Sequence, residues 1–406
     1  MVDDTPPGLP RLSPLPYLQQ VVQWLQRSEP EVWRWALSAQ AREEHAQAVR
    51  ADLLKQTYRL DADAHPALHA HCTAAAARLG LAVPVTLYQG QDGGAAMNAS
   101  LYFVPGEAHV VFSGPLLERL AGPELEAVLG HELAHHLLWS LDEGAFHAAD
   151  RILSATAADP RSAASHDQTA RRYRLYTEAF ADRGSAVACG ALAPAVVALV
   201  KTQTGLATVS AASYLRQADE ACAAQGSPSA GPHSHPEVFV RARALRLWCE
   251  SDPQADAWLA SQLDGPLSLD TLDVCGQQRV HALTRRVIAD FLQPAWLRSD
   301  TLLAHARRFF PDVEPASAPD ATLAEELAPL AGLHPYVAAL LLDFSACDPA
   351  LEDVPLAAAL QMAERLGAAA DYERLALKAL GLTKRQFNKH RQGAAALLQR
   401  TAERHG

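Results

Sequence analysis

The sequence lacks the signals that would send the chain into or across a membrane. Its start, MVDDTPPGLP, is acidic and proline-rich, without the basic residues and apolar run of a secretory signal. No stretch reaches the roughly 18 consecutive apolar residues that a membrane-spanning helix needs. The nearest, residues 191–200, is followed at once by Lys201. We therefore expect a soluble, cytoplasmic protein without membrane insertion.

Paired cysteines and excess positive charge are also missing. The six cysteines are scattered and form no CxxC pair, which in a chain of this size is typical of free thiols in a reducing compartment. The formal net charge is −11, and because phosphate contacts need a positive surface, nucleic acid is an improbable partner for the whole protein. Phenylalanine and tyrosine are few compared with alanine and leucine, whose side chains lose little conformational freedom on entering a helix. The composition therefore favours helices.

A chain of 406 residues is too long to fold around one ordinary hydrophobic core, so two or three domains are expected. The patterning predicts an α+β fold that is predominantly α-helical, with a small antiparallel sheet and helical extensions at both ends. We divide it into an N-terminal helical extension (1–60), a central domain (61–250), a helical connector (251–310) and a C-terminal helical domain (322–406), with residues 311–321 as a linker. No feature of the sequence indicates an oligomeric state.

Local signals place the elements around the middle of the chain. Apolar spacing predicts a helix over 17–58, and short β-rich runs predict a strand at 82–89 and a hairpin of 98–104 with 109–113. A helix begins at Pro123, since proline is favoured at the first helical position, and runs to about Trp139. Residues 142–166 look rich in loops.

The segment HELAHH, His131 to His136, carries the chemistry. His131 and His135 are four residues apart on a predicted helix, so both side chains leave one face and can bind a single ion. Glu132 is close enough to reach a water at that ion and to act as general base. His136 points about a third of a turn away, which indicates a residue at the surface or just outside the ligands.

A third ligand is available downstream in the segment TEAFADRGSA. Glu178 would complete a tetrahedron of two histidines, one glutamate and one water. Asp182, one turn later, would accept a hydrogen bond from the free ring nitrogen of a ligand histidine. The alternative is that both acids lie on a solvated helix face with nearby arginines. An earlier acidic and histidine-rich stretch, 61–72, is better explained as the start of an ordinary alanine-rich helix.

These motifs resemble the gluzincin peptidases that include the heat-shock protease HtpX and the CAAX prenyl protease. The resemblance covers about residues 61–250 and depends on HELAH for HExxH and on Glu178-Ala-Phe-Ala-Asp182 for ExxAD. Weaker agreement comes from the strand and hairpin at 98–113 and from Ser234-His235-Pro236 with Arg241.

The resemblance implies a zincin-like metallopeptidase domain: a zinc endopeptidase that acts on proteins or peptides. It implies one zinc ion held by His131, His135 and Glu178, with Glu132 as catalytic base, although manganese or cobalt could occupy such ligands. His235 and Arg241 match positions near the family's active site and would be further catalytic residues. An edge strand would pair with extended substrate through Asn98, Ala99, Ser100 and Leu101.

Two departures limit what the resemblance carries. Members of this group typically have transmembrane helices, whereas this sequence is not expected to form one. Membrane-embedded or prenylated substrates are therefore not implied here. The segment after His235 also lacks the family's glutamate before the arginine, because Phe239 and Val240 stand there.

A rival hypothesis keeps the metal site but gives the chain a regulatory or binding role through its helical C-terminal part, which would sense a partner or bind DNA. Residues 372–406 are locally basic, and LGLTKRQFNKHRQ has the pattern of a helix-turn-helix with Gly381 at the turn. A solvated amphipathic helix is the commoner outcome of such a pattern.

Overall fold

The computed structural model describes residues 8–91, 96–224 and 236–405. The chain divides into two compact units, Met1–Gly265 and Pro266–Gly406. Helices dominate both, and the sheet of the described residues lies in the first, so the predicted α+β, mainly helical fold is confirmed. Within the described ranges, no helix combines the length and the apolar character that crossing a bilayer requires.

The first unit begins with three helices and a strand in place of the single helix predicted for 17–58. These are α1 (Pro16–Ser28), α2 (Pro30–Ala36), α3 (Ala39–Gln56) and β1 (Thr57–Arg59). Pro30 occupies the first position of α2, where its missing N–H costs nothing. Ser38 caps α3 by accepting a hydrogen bond from the N–H of Ala41. These local end signals set the boundaries, and apolar spacing alone did not show them.

The sheet is mixed, so the prediction of an antiparallel sheet is wrong in one pairing. After α4 (Pro66–Arg78) come β2 (Val85–Gly90), β3 (Asn98–Val104) and β4 (Glu107–Ser113), and the strand order is β1-β2-β4-β3. The pairs β1–β2 and β3–β4 are antiparallel, but β2–β4 is parallel. The chain passes from β2 to the outer position before the predicted hairpin returns β4 to the middle, which leaves β3 at the edge.

One face of this sheet packs on the core of the unit. Short α5 (Leu116–Arg119) leads into α6 (Pro123–Ser140). The side chains of Leu87, Val110 and Phe112 are fully buried and share a core with Leu129 and Leu133 of α6. The sheet therefore fixes α6 along its length.

Helix α7 (Ala145–Ala157) occupies much of the segment predicted to be loop. That prediction is wrong because alanines and a histidine make up more than half of the buried face of α7, so only Phe146, Ile152 and Leu153 mark its periodicity. Left-handed backbone at Asp142 and Glu143, with φ of 48° and 58°, separates α7 from α6.

Five further helices complete the first unit. They are α8 (Ala164–Cys189), α9 (Leu192–Thr204), α10 (Ala211–Ala224), α11 (Val238–Cys249) and α12 (Ala255–Asp264). Helix α8 is buried over most of its length and ends at Gly190, which adopts the left-handed conformation favoured after a helix.

The second unit is helical throughout its regular structure. Its helices are α13 (Val274–Phe291), α14 (Asp300–Phe309), α15 (Leu323–Leu327), α16 (His334–Ala346), α17 (Val354–Arg365), α18 (Ala369–Ala379) and α19 (Lys384–His405). Residues 311–321, suggested as a linker, lie within this unit: Val313 is buried, and the N–H of Ala316 donates to the carbonyl of Ala289. The finer division into an extension, a peptidase domain, a connector and a C-terminal domain stays a prediction.

Candidate metal centre

Two glycines let the helices that carry the site approach closely. A Cβ atom at Gly130 of α6 would lie 2.1 Å from the Cβ of Ala188, and one at Gly184 of α8 would lie 2.2 Å from the Cβ of Ala134. Both distances are far below van der Waals contact, so only glycine fits at either position. The crossing brings the HELAH face of α6 against the ExxAD face of α8.

This crossing gathers the three residues predicted as metal ligands. The Nε2 atoms of His131 and His135 lie 3.3 Å apart. One carboxylate oxygen of Glu178 is 3.4 Å from His131 Nε2, and the other is 3.6 Å from His135 Nε2. Among the described residues these three form a group that could hold a metal ion.

The spacing of the donor atoms fits a tetrahedral ion. Zinc binds histidine nitrogen and carboxylate oxygen at about 2.0–2.2 Å, so neighbouring ligand atoms of a tetrahedral site lie about 3.4 Å apart. All three observed separations are close to that value. Two imidazoles and one carboxylate are also a donor set that zinc accepts.

Asp182 orients His131 from behind. Its Oδ1 lies 3.2 Å from His131 Nδ1, the nitrogen that faces away from the ligand triangle. Arg241 of α11 donates two hydrogen bonds to the same carboxylate, at 2.8 and 2.6 Å, and its Nη2 lies 3.5 Å from Glu178. Burial would raise the pKa of Asp182, but the charge of Arg241 and the hydrogen bonds from Arg241 and His131 together hold that pKa below its usual value. The arginine thus keeps Asp182 ionised and fixed.

The two histidines have opposite electrostatic environments. Burial would lower the pKa of His131, but hydrogen bonds to Asp182 and Glu178 outweigh it and raise that pKa to about 10. Burial lowers the pKa of His135 to about 4. His131 thus lies between two carboxylates that favour positive charge, which suits a cation at its Nε2.

Glu132 is buried beside the triangle and is not one of the three clustered residues. Burial raises the pKa of its carboxyl group to about 7, although the charge of His131 and the backbone amide of Leu101 act in the opposite direction. A carboxyl group with a pKa near neutrality can both accept and return a proton.

The triangle opens into a cavity of about 510 Å³. Its walls include the proposed edge-strand residues Asn98, Ala99, Ser100 and Leu101. In the sheet of the described residues β3 pairs only with β4, so no strand covers its outer edge, although His45 of α3 bonds to the carbonyl of Phe103 near the end of β3. The cavity therefore combines a metal triangle, a buried carboxyl group and a free strand edge.

Two further predictions concern histidines. His235 lies outside the described residues, so its proposed catalytic role stays a prediction, as does a direct role for Arg241 in the reaction. His136 is fully buried and not at the surface: its Nε2 bonds to the carbonyl of Glu107 at 3.2 Å, and its ring lies 5.0 Å from that of Phe103. It ties α6 to the β3–β4 hairpin.

Sequence reasoning missed two features of this site. The bond between Asp182 and Arg241 joins residues far apart in the chain, and no local spacing announces it. Asp150 of α7 lines the cavity. The available signal was Asp150 within the segment AFHAADRIL, residues 145–153, but the prediction of a loop there hid its position on a helix face.

Residues 63–249 match the model of peptidase family M48. No significant match to a curated protein or to a solved structure was found. The matched range contains α4, the hairpin, α6, α8 and α11, which together supply each described residue of the site.

Proposed function

Because residues 63–249 match the model of peptidase family M48, we propose that this chain is a zinc-dependent endopeptidase with Glu132 as its general base. The match to this family supports a protease, whose substrates are peptides or proteins. The observation that carries the finer proposal is the triangle of donor atoms beside a buried carboxyl group, inside a cavity bordered by a free strand edge.

Each residue has a distinct task in this proposal. His131, His135 and Glu178 would hold the zinc ion, which when bound polarises the scissile carbonyl and makes a neighbouring water molecule more acidic. Glu132 takes the proton from the attacking water and delivers it to the leaving amine.

The substrate and the ligands are both held by hydrogen bonds. An extended peptide pairs with the outer edge of β3, and these main-chain bonds place its scissile carbonyl near Glu132. Asp182 keeps the proton of His131 on Nδ1, which leaves Nε2 free to bind the ion. Arg241 prevents Asp182 from turning away.

The Glu132→Gln variant tests the proposed function. Since it removes the proton carrier and retains all three ligands, we expect full zinc content by elemental analysis and a fall in peptide cleavage of about 10²–10⁴-fold. His131→Ala is the matched variant and should lose the zinc as well. Undiminished cleavage by Glu132→Gln would show that the base is wrong, and undiminished zinc in His131→Ala would show that the metal lies elsewhere.

A further inference from the structure

The cavity extends from the donor triangle toward both ends of α6. Near the start of α6, where Lys201 of α9 binds Glu124, the wall includes the apolar residues Val128 and Leu199 together with Thr202 and Gln203 of α9. Near the end of α6 the wall includes Trp139, and here α7 and α8 contribute polar side chains: Asp150, Ser154, Arg174 and Thr177. Helix α7 is held at this end by His147, whose ring lies 5.7 Å from that of Trp139.

Asp150 has no partner among the residues that the structure describes. Its carboxylate forms no hydrogen bond and no ion pair with any residue in the described ranges 8–91, 96–224 and 236–405. Burial raises the pKa of this carboxyl group to about 6, and the charge of Arg174 opposes the shift only in part. Asp150 is half-buried, and a carboxylate in such a position is stabilised by a hydrogen bond or a nearby cation.

Arg174 does not satisfy this carboxylate. It is exposed, and its Nε donates to the carbonyl of Ala170 on its own helix at 3.4 Å. Within the described part of the chain, Asp150 therefore meets a cation only at a distance, and its open side faces the cavity.

We propose that Asp150 binds a cationic group of the substrate peptide at the Trp139 end of the cavity. This inference extends the proposed peptidase function and depends on it. An ammonium or guanidinium group would give the carboxylate a charge-assisted hydrogen bond, which is about twice as strong as a neutral one. The Trp139 side chain borders the cavity at the same end.

Two sources in a peptide carry this chemistry: a lysine or arginine side chain, and a free N-terminal amine. Both are small enough to reach a carboxylate on the wall of a cavity of this size. Asp150 is therefore a specificity residue that selects the substrate, and it takes no part in moving protons at the reaction centre.

Binding measured without turnover tests this assignment. The zinc-loaded Glu132→Gln protein is titrated, by fluorescence anisotropy, with labelled peptides of equal length. One set is N-acetylated with a single lysine moved through each position, a second has a free amine and no basic side chain, and a third is acetylated and uncharged. The same peptides are then titrated into two double variants, in which Glu132→Gln is combined with either Asp150→Asn or Asp167→Asn. Asp167→Asn is the control, because it removes an exposed charge of α8 outside the cavity.

We expect Asp150→Asn to weaken binding of the cationic peptides by at least about tenfold, since bonds to charged groups are worth that much. Binding of the uncharged peptide should stay the same, and Asp167→Asn should change none of the affinities. Dependence on Asp150 in the lysine set identifies a side-chain subsite, and dependence in the free-amine set identifies an N-terminal one. Equal weakening of all peptides, no weakening, or the same loss in Asp167→Asn would overturn the proposal.

Cleavage by the otherwise unchanged protein separates the two claims. If it cleaves peptides but Asp150→Asn alters no affinity, the subsite is wrong and the peptidase proposal stands. If it cleaves no peptide while affinity still depends on Asp150, the proposed function fails and the cation-binding residue remains.

Discussion

At the scale of single residues, the metal centre is a chain of charges in which each member fixes the next. Arg241 holds Asp182, and Asp182 holds the ring of His131. The Arg241 and Asp182 side chains are each 8% exposed. With so little water available, each ion depends on its partner, and removal of one partner exposes the cost of burying the other.

This arrangement predicts that Asp182→Asn weakens metal binding without removing a ligand. The amide cannot supply the negative charge that fixes the proton on Nδ1 of His131, so zinc affinity should fall about 10–100-fold. Competition with a chromophoric chelator measures the change. Asp256→Asn is a suitable control, because Asp256 pairs with Arg183 of the same helix α8 but is not among the residues that line the cavity. Equal affinity in the Asp182 variant and the unchanged protein would contradict the role given to Asp182.

Much of this centre could be predicted from sequence because its parts are local. The spacing of His131 and His135 is one helical turn, and so is that of Glu178 and Asp182, so each pair shares a face wherever the helix lies. Arg241 could be placed near the site only through the family resemblance, and its bond to Asp182 depends on how α11 packs, which no local pattern encodes.

At the scale of elements, the site depends on how closely α6 and α8 cross. The ligands are divided between these helices, so a small change in their separation alters the two edges of the donor triangle that join Glu178 of α8 to the histidines of α6. Gly130 and Gly184 have their nearest Cβ neighbours in the opposite helix, which places the closest approach within one turn of His131 and Asp182.

Replacing Gly130 with alanine should therefore damage both stability and metal binding. Overpacking of a close contact costs about 1–3 kcal/mol, and the helices must separate to admit the methyl group. Thermal unfolding measures the first effect, and zinc titration measures the second.

Gly393→Ala is the matched control for this prediction. Gly393 lies inside exposed α19, and a Cβ there meets nothing within 4 Å. Because glycine is less favourable than alanine within a helix, this change should stabilise the protein by about 0.5–1 kcal/mol. If Gly130→Ala behaved like Gly393→Ala, the close crossing would not be what positions the ligands.

The elements that sequence patterns missed are those whose neighbours define them. Strand β1 has only three residues and gains its hydrogen bonds from β2. Helix α3 was predicted as part of one long helix, and its contact with β3, where His45 Nε2 bonds to the carbonyl of Phe103 at 3.0 Å, is likewise a tertiary feature. The parallel pairing of β2 with β4 likewise follows from the path of the chain. Such features are decided by tertiary contacts, whereas the hairpin and α6 carry their own signals.

At the scale of the whole molecule, each compact unit has its own hydrophobic core. The core beneath the sheet draws on residues between Leu60 and Ala255, and the large core of the second unit on residues between Val280 and Phe387. Every described residue of the metal centre belongs to the first unit. Regions with separate cores are candidates for independent folding.

This division predicts that a chain ending at Gly265 folds and retains the chemistry of the metal centre. We expect it to hold one zinc ion and to cleave peptides at close to the full-length rate, with cleavage abolished by Glu132→Gln. Residues 266–406 should give the far-ultraviolet circular dichroism of a folded helical protein and a cooperative thermal transition of their own. A shortened chain that is unfolded or free of zinc would show that the second unit is needed for the first to fold.

If the shortened chain cleaves peptides normally but loses the biological effect of the full chain, that effect resides in the second unit, and the rival role for the C-terminal part gains support. Full retention of the effect would leave the peptidase centre as its source, because the shortened chain contains the metal centre and none of the C-terminal helices.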